Sequence, residues 1–160
     1  MFNLRGAKMR ISTKTDLALR ILMCCAVNAG QTIRKAQVAD RCGASMSLVA
    51  VVIHQLGMAG YLITMRGRSN GIRLRAEAEE ISIGAVFRTF EDDQHLVECF
   101  NPLENTCPLI QQCSLKPLLG EAINAFHAVL NHTSLSDLIE QNYDLTKFLR
   151  IAPVTAGSVR

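Results

Sequence analysis

The chain has 160 residues, a formal net charge of +3, and a composition that is 49% hydrophobic and 19% charged. That length fits one domain with an appended helical element, arguing against a multidomain enzyme, and the composition is globular rather than disordered. No apolar run reaches the roughly 18 to 20 residues of a membrane helix and no secretory signal pattern opens the chain, so a soluble, cytoplasmic protein without a membrane partner is expected. Its six cysteines then sit in a reducing compartment, where disulfides are the weaker explanation.

The total charge hides an asymmetry. Residues 1–80 carry 12 Lys and Arg against 5 Asp and Glu, net +7, whereas residues 81–160 carry 5 against 9, net −4. Clustered cations in the first half suit a polyanion such as DNA, whose phosphates reward them through counterion release.

In chain order, residues 1–8 have no periodic pattern and read as a flexible extension, with Met9 opening the first recognisable segment. Apolar spacing at Leu17, Ile21, Leu22 and Cys25 predicts a helix from Thr15 to Asn28, stopped by Gly30. A second helix is predicted over about Ile33 to Cys42, ended by Gly43, and a third over about Met46 to Ala59, capped by Ser45 and stopped by Gly60. Two short helices joined by a glycine-containing link form a helix-turn-helix pattern, in which the second helix enters the major groove. The β-prone stretch from Tyr61 to Met65, the turn RGRSNG, and the alternating Ile72 to Leu74 add a basic hairpin, completing a winged helix.

Beyond the wing, a short helix is predicted over Ile83 to Glu91, capped by Ser82. Residues 92–114 show no sustained period, and loops of that length are uncommon in compact domains unless they have a task. From Leu115 to Leu130, apolar residues at Leu115, Leu118, Leu119, Ala122, Ile123, Phe126, Val129 and Leu130 draw a four-turn stripe that needs a partner. A final helix near Ser136 to Asn142 and a small-residue tail close the chain. The expected fold is mainly α with a small β-hairpin, a winged helix-turn-helix followed by a long dimerisation helix.

Two constellations carry chemistry. Cys99, Cys107 and Cys113 lie on the one irregular segment, where a loop can wrap soft thiolates around an iron-sulfur cluster or zinc. Structural zinc favours close pairs and four protein ligands, so these wider gaps and the missing fourth cysteine favour a cluster. Cys24, Cys25 and Cys42 fall in predicted helices, where small apolar side chains belong, and are expected in the core. For DNA, Arg66, Arg68 and Arg73 on or beside the wing could reach phosphates or the minor groove, and Ser45, Ser47 and Gln55 on the third helix could meet base edges. The four histidines are scattered and form no catalytic arrangement.

Taken together, MRISTKTDLALR, the wing RGRSNGIRL, the ECF...CPL...CSL segment and LNHTSLSDLIEQN resemble the dimeric bacterial winged-helix repressors that hold an iron-sulfur cluster on three loop cysteines. The likeness covers residues 9 to about 145 and is nearest to the nitric-oxide-sensing, NsrR-type branch. What it implies is a homodimer bound to double-stranded promoter DNA, released when nitric oxide attacks a 4Fe-4S cluster. A 2Fe-2S cluster or an apo form as purified are the alternatives. The implied ligands are Cys99, Cys107, Cys113 and, reaching from the partner subunit, Asp16. The implied organisation is an extension at 1–8, a DNA-binding domain at 9–80, a cluster loop with dimerisation helices at 81–145, and a tail at 146–160. The IscR-type branch carries a histidine ligand where this chain has Lys116 and is disfavoured, whereas the iron-responsive RirA-type branch shares the wide gap between Cys99 and Cys107 and the ECF and CPL strings but usually has an amide at the position of Asp16, which makes it the runner-up. A redox or electron-transfer protein using the same thiols is the alternative of another class, disfavoured by the basic winged helix. Val51 replaces a lysine common on the recognition helix of such repressors, and Asn70 a wing glycine, so their operator sequence does not transfer to this chain.

Overall fold

The computed structural model describes residues 11–65, 71–91, 97–103 and 105–152. Helix α1 spans Thr13–Val27. It begins two residues before the predicted start because the Ser12 hydroxyl, 3.1 Å from the Thr15 amide, caps it. Helix α2 spans Lys35–Cys42 and α3 spans Met46–Met58. The two meet at a 110° bend, within the range of a helix-turn-helix. Gly43 makes that bend possible by closing α2 at φ 60°, a left-handed geometry that costs glycine no steric penalty.

Ile33, expected to open α2, is not helical. It pairs with Ile72 across an isolated antiparallel bridge, donating to the Ile72 carbonyl at 2.9 Å and accepting from the Ile72 amide at 2.8 Å. Its backbone is thus extended, and the helix starts two residues later. Strands β1, Leu62–Met65, and β2, Gly71–Leu74, form the antiparallel hairpin with Leu62 opposite Leu74 and Met65 opposite Gly71. The bridge requires glycine at 71, since a Cβ there would lie 2.4 Å from the Ile33 carbonyl oxygen.

Helix α4 spans Ile83–Phe90, capped by Ser82, and α5 spans Leu115–His132. After α5 the chain returns beside the start of α4, with Leu135 N–H donating to the Ile81 carbonyl at 2.8 Å and Ile83 N–H to the Thr133 carbonyl at 2.9 Å. The last helix is misplaced in the sequence reading. Residues 136–141 form turns, and α6 spans Tyr143–Leu149. Asn142, the expected terminus, is instead the cap, its side chain accepting from the Leu145 amide at 3.0 Å. Order therefore continues past residue 145, where a tail was expected, and Leu149 and Ile151 are buried.

One apolar core joins these pieces. Leu17, Ile21 and Leu22 of α1 meet Val38 of α2, Val49, Val52, Ile53 and Leu56 of α3, Leu62 and Ile72 of the hairpin, Val86 of α4, and Leu135. Among the described residues Asn28 is the one buried side-chain amide. Its Nδ2 donates to the carbonyls of Cys24 at 2.7 Å and Leu149 at 2.9 Å, while Oδ1 accepts from the Ile151 amide at 2.8 Å. With both ends satisfied, burial costs little and the chain after α6 is pinned to the end of α1. Among the described residues no single helix is long and apolar enough to cross a membrane.

Candidate functional site

The first candidate surface follows from the helix-turn-helix. On α3, Val49, Val52, Ile53 and Leu56 are buried, which leaves Ser47, Val51, His54 and Met58 on the exposed face at helical spacing. Ser45 is occupied as cap, 3.3 Å from the Leu48 amide, with its hydroxyl 3.2 Å from that of Ser47. Gln55 is only partly exposed and its Oε1 is turned inward without a hydrogen-bond partner. The face presented to solvent therefore contains His54, which the sequence reading set aside. Counting seven residues on from Ser47 would have placed it there. Arg73 projects exposed from β2, opposite Ile63. Arg66, Arg68 and Asn70 lie outside the described residues.

The cysteines divide into two environments. Cys24, Cys25 and Cys42 are buried among α1 and α2. Burial, with neighbouring Cys42 adding and Arg41 opposing, pushes the Cys24 thiol up to about 12. Cys42 rises to about 11, again through burial, with Arg20 opposing. Burial, reinforced by Cys24 and Cys42, raises Cys25 well above the ordinary range. These groups stay protonated, and a protonated thiol is neither a nucleophile nor a metal ligand.

Cys99, Cys107 and Cys113 are all free and half-buried. Cys99 sits in a single 3-10 turn, Glu98–Phe100, and turns at residues 108–112 separate the other two. The Phe100 ring lies beside Gly120 of α5, its edge 3.9 Å from where a Cβ on that glycine would stand. Among the described residues no group of three or more His, Cys, Asp or Glu is arranged to hold a metal ion. The three thiols thus share a segment without converging in this single chain.

Asp16 lies in the first turn of α1, about half exposed at 48%, and its carboxylate pairs with Arg20 one turn on. The Arg20 guanidinium also donates to the Cys42 carbonyl at 3.1 Å, at the end of α2. The start of α1 is tied elsewhere too. Glu91, the residue closing α4 and leading toward the cysteine segment, accepts from the Ser12 amide at 2.7 Å and from the Thr15 hydroxyl. Burial acts to raise the Glu91 carboxyl, but the hydrogen bonds from Thr15 and Ser12 outweigh it and hold the group below its ordinary range. The element bearing Asp16 is therefore fixed both to the root of the thiol segment and to the helix-turn-helix.

Helix α5 has no buried residue. Leu119, Ile123, Phe126 and Leu130 are half-buried, and the Phe126 ring meets Phe87 of α4 edge to face at 5.5 Å. Leu118 at 61% and Val129 at 66% remain exposed, as does Leu115. Exposed apolar rows of this kind are common on interaction surfaces.

Comparison with known proteins agrees with this architecture. A family model described as Rrf2, iron-dependent transcriptional regulator, matches residues 11–141. The HTH-type transcriptional regulator NsrR of Bacillus subtilis is 39% identical over 144 residues, covering 89% of this chain and 99% of that protein. The crystal structure of Staphylococcus aureus CymR superposes with a TM-score of 0.66 at 28% identity, covering 82% of this chain and 98% of that one. T. potens IscR, at 21% identity and a TM-score of 0.67 over 84% of this chain and 90% of its own, shares the fold. The chain belongs to the Rrf2 family of transcriptional regulators, and is a winged-helix, DNA-binding protein rather than an enzyme.

Proposed function

We propose that the chain is a homodimeric repressor of promoter DNA whose hold on its operator is set by a 4Fe-4S cluster that senses nitric oxide. The observation that carries this reading is the division of the thiols: three are shut in the core as protonated groups, whereas Cys99, Cys107 and Cys113 are unbonded and half-buried on one segment. That donor set fits an iron-sulfur centre, since soft sulfur selects such clusters and a segment built of turns can close around its ligands on binding. Three thiolates leave one position for an oxygen donor, and Asp16 from the second subunit would fill it. Bound there, the cluster would supply iron able to react with nitric oxide.

The chain's own residues supply the coupling. The Asp16 carboxylate engages Arg20 through one oxygen, which leaves its second oxygen for a metal, and the same guanidinium holds the Cys42 carbonyl at the end of α2. A metal held by Asp16 would draw charge away from this pair and so alter the hold of Arg20 next to the bend of the helix-turn-helix. The exposed row Leu115, Leu118 and Val129 of α5 supports a dimer stem, which would set the distance between two recognition helices on a pseudo-palindromic site. The likeness to NsrR over most of the chain supports nitric oxide as the signal. A second reading, iron supply as the signal, is favoured by the family's description as iron-dependent and uses the same thiols.

The test is anaerobic purification with iron and sulfide quantified per chain, sedimentation for the dimer, then promoter binding before and after nitric oxide and, in parallel, after iron chelation. Release by nitric oxide supports the proposal, and release by chelation alone supports the iron-supply reading. Protein lacking iron and sulfide when made and kept oxygen-free overturns both. Asp16→Ala is expected to dimerise normally while the operator affinity of the loaded protein changes, and an unchanged affinity would remove Asp16 from the coupling.

A further inference from the structure

Between the start of α2, the middle of α3 and the hairpin lies an open notch of about 220 Å³, lined by Lys35, Ala50, Ile53, His54, Thr64, Met65 and Gly71. Lys35, His54 and Thr64 are exposed. Among the described residues no acidic side chain lines the notch, and no ion pair engages Lys35 or His54. The lining has two chemistries. A cation, an imidazole and a hydroxyl suit an anion with several acceptor oxygens, while Ala50, Ile53 and Met65 suit an apolar ring beside it. A deoxyribose-phosphate unit combines those features. The notch also shares the exposed face of α3, where His54 follows Ser47 and Val51.

We propose that this notch seats one sugar-phosphate unit of the operator backbone, with Lys35 and the protonated His54 on the phosphate and the apolar lining against the sugar. This rests on the chain binding DNA, and adds a specific contact to its backbone. Imidazole gains its charge as pH falls from about 8 to 5. Among the described residues lining the notch, Lys35 is the other charged group. Protonation therefore adds a second cation beside the phosphate, and binding tightens as the solution is acidified.

The contact is tested by equilibrium binding of anaerobically purified protein to a duplex selected by that protein from a random pool, and to a random duplex of equal length. Salt is varied at pH 7.5 and at pH 6, with iron content checked at each pH. A lysine on phosphate contributes about 0.9 to the slope of log affinity against log salt, so Lys35→Gln is expected to lower that slope by about one and to weaken both duplexes alike. His54→Gln is expected to abolish the tightening between pH 7.5 and 6, and His54→Lys to bind at pH 7.5 as the parent binds at pH 6. Both positions are exposed, and a thermal melt confirms that the variants fold. An unchanged salt slope in Lys35→Gln, or a full pH response in His54→Gln, overturns the assignment. A change in sequence preference at constant slope also overturns it, because the contact would then be to base edges. Failure of the parent protein to bind either duplex would instead overturn DNA binding itself.

Discussion

Differential alkylation tests the division of the six thiols directly. The iron-free protein, held at pH 8 under reducing conditions, is exposed to iodoacetamide, quenched, unfolded, and labelled again with an isotopically heavy reagent. Only the thiolate reacts. A thiol at the ordinary 9.0 is about one-eleventh ionised at pH 8, whereas Cys24 at about 12 is ionised only to about one part in ten thousand, a roughly thousandfold suppression. Cys42, at about 11, is suppressed about a hundredfold. Burial of Cys24, Cys25 and Cys42 also denies the reagent access. Peptides containing Cys99, Cys107 and Cys113 should carry the light label, and those containing the three core thiols the heavy one. Light label on Cys24 or Cys42 at a rate matching Cys107 would refute the assignment of the first group to the core, and with it the reason for choosing the second group as ligands.

Three other outcomes follow from the packing. Gly71→Ala should destabilise the fold by about 1 to 3 kcal/mol, since the new Cβ would meet the Ile33 carbonyl oxygen at 2.4 Å and the bridge must part; the urea midpoint reports it, and an unchanged midpoint would show that the bridge yields freely. Asn28→Ala removes the bonds to the Leu149 carbonyl and Ile151 amide and should cost about 2 to 4 kcal/mol, with amide exchange rising first around α6. Glu91 is held below its ordinary range, so its latch on Ser12 and Thr15 contributes stability above a carboxylate's ordinary value of about 4.3 and loses it as pH falls through the lower folded value. Urea midpoints of the parent and Glu91→Gln should therefore differ most near neutrality and converge in acid, and a gap independent of pH would exclude the carboxylate as its source.

The helical periods, the glycine stops and the hydroxyl caps fix local structure, so α1, α3, α4, α5 and the hairpin stand within a few residues of their predicted places. Ser45 and Ser82 cap where expected, because a cap depends on amides only two or three residues away. The thiol segment and the basic first half were legible for the same reason, as residue types carried on a continuous stretch of chain. Where the sequence reading failed, the deciding partner was distant. Ile33 leaves the α2 pattern because Ile72 takes both its backbone groups. The last helix moves to 143–149, and the chain beyond it is held to α1 by Asn28. Only tertiary packing reveals that Gln55 turns its oxygen inward, and that Glu91 ties the start of α1 to the root of the cysteine segment. Propensity and periodicity act over one or two turns, whereas bridges, clamps and exposed faces depend on which distant groups the core brings together.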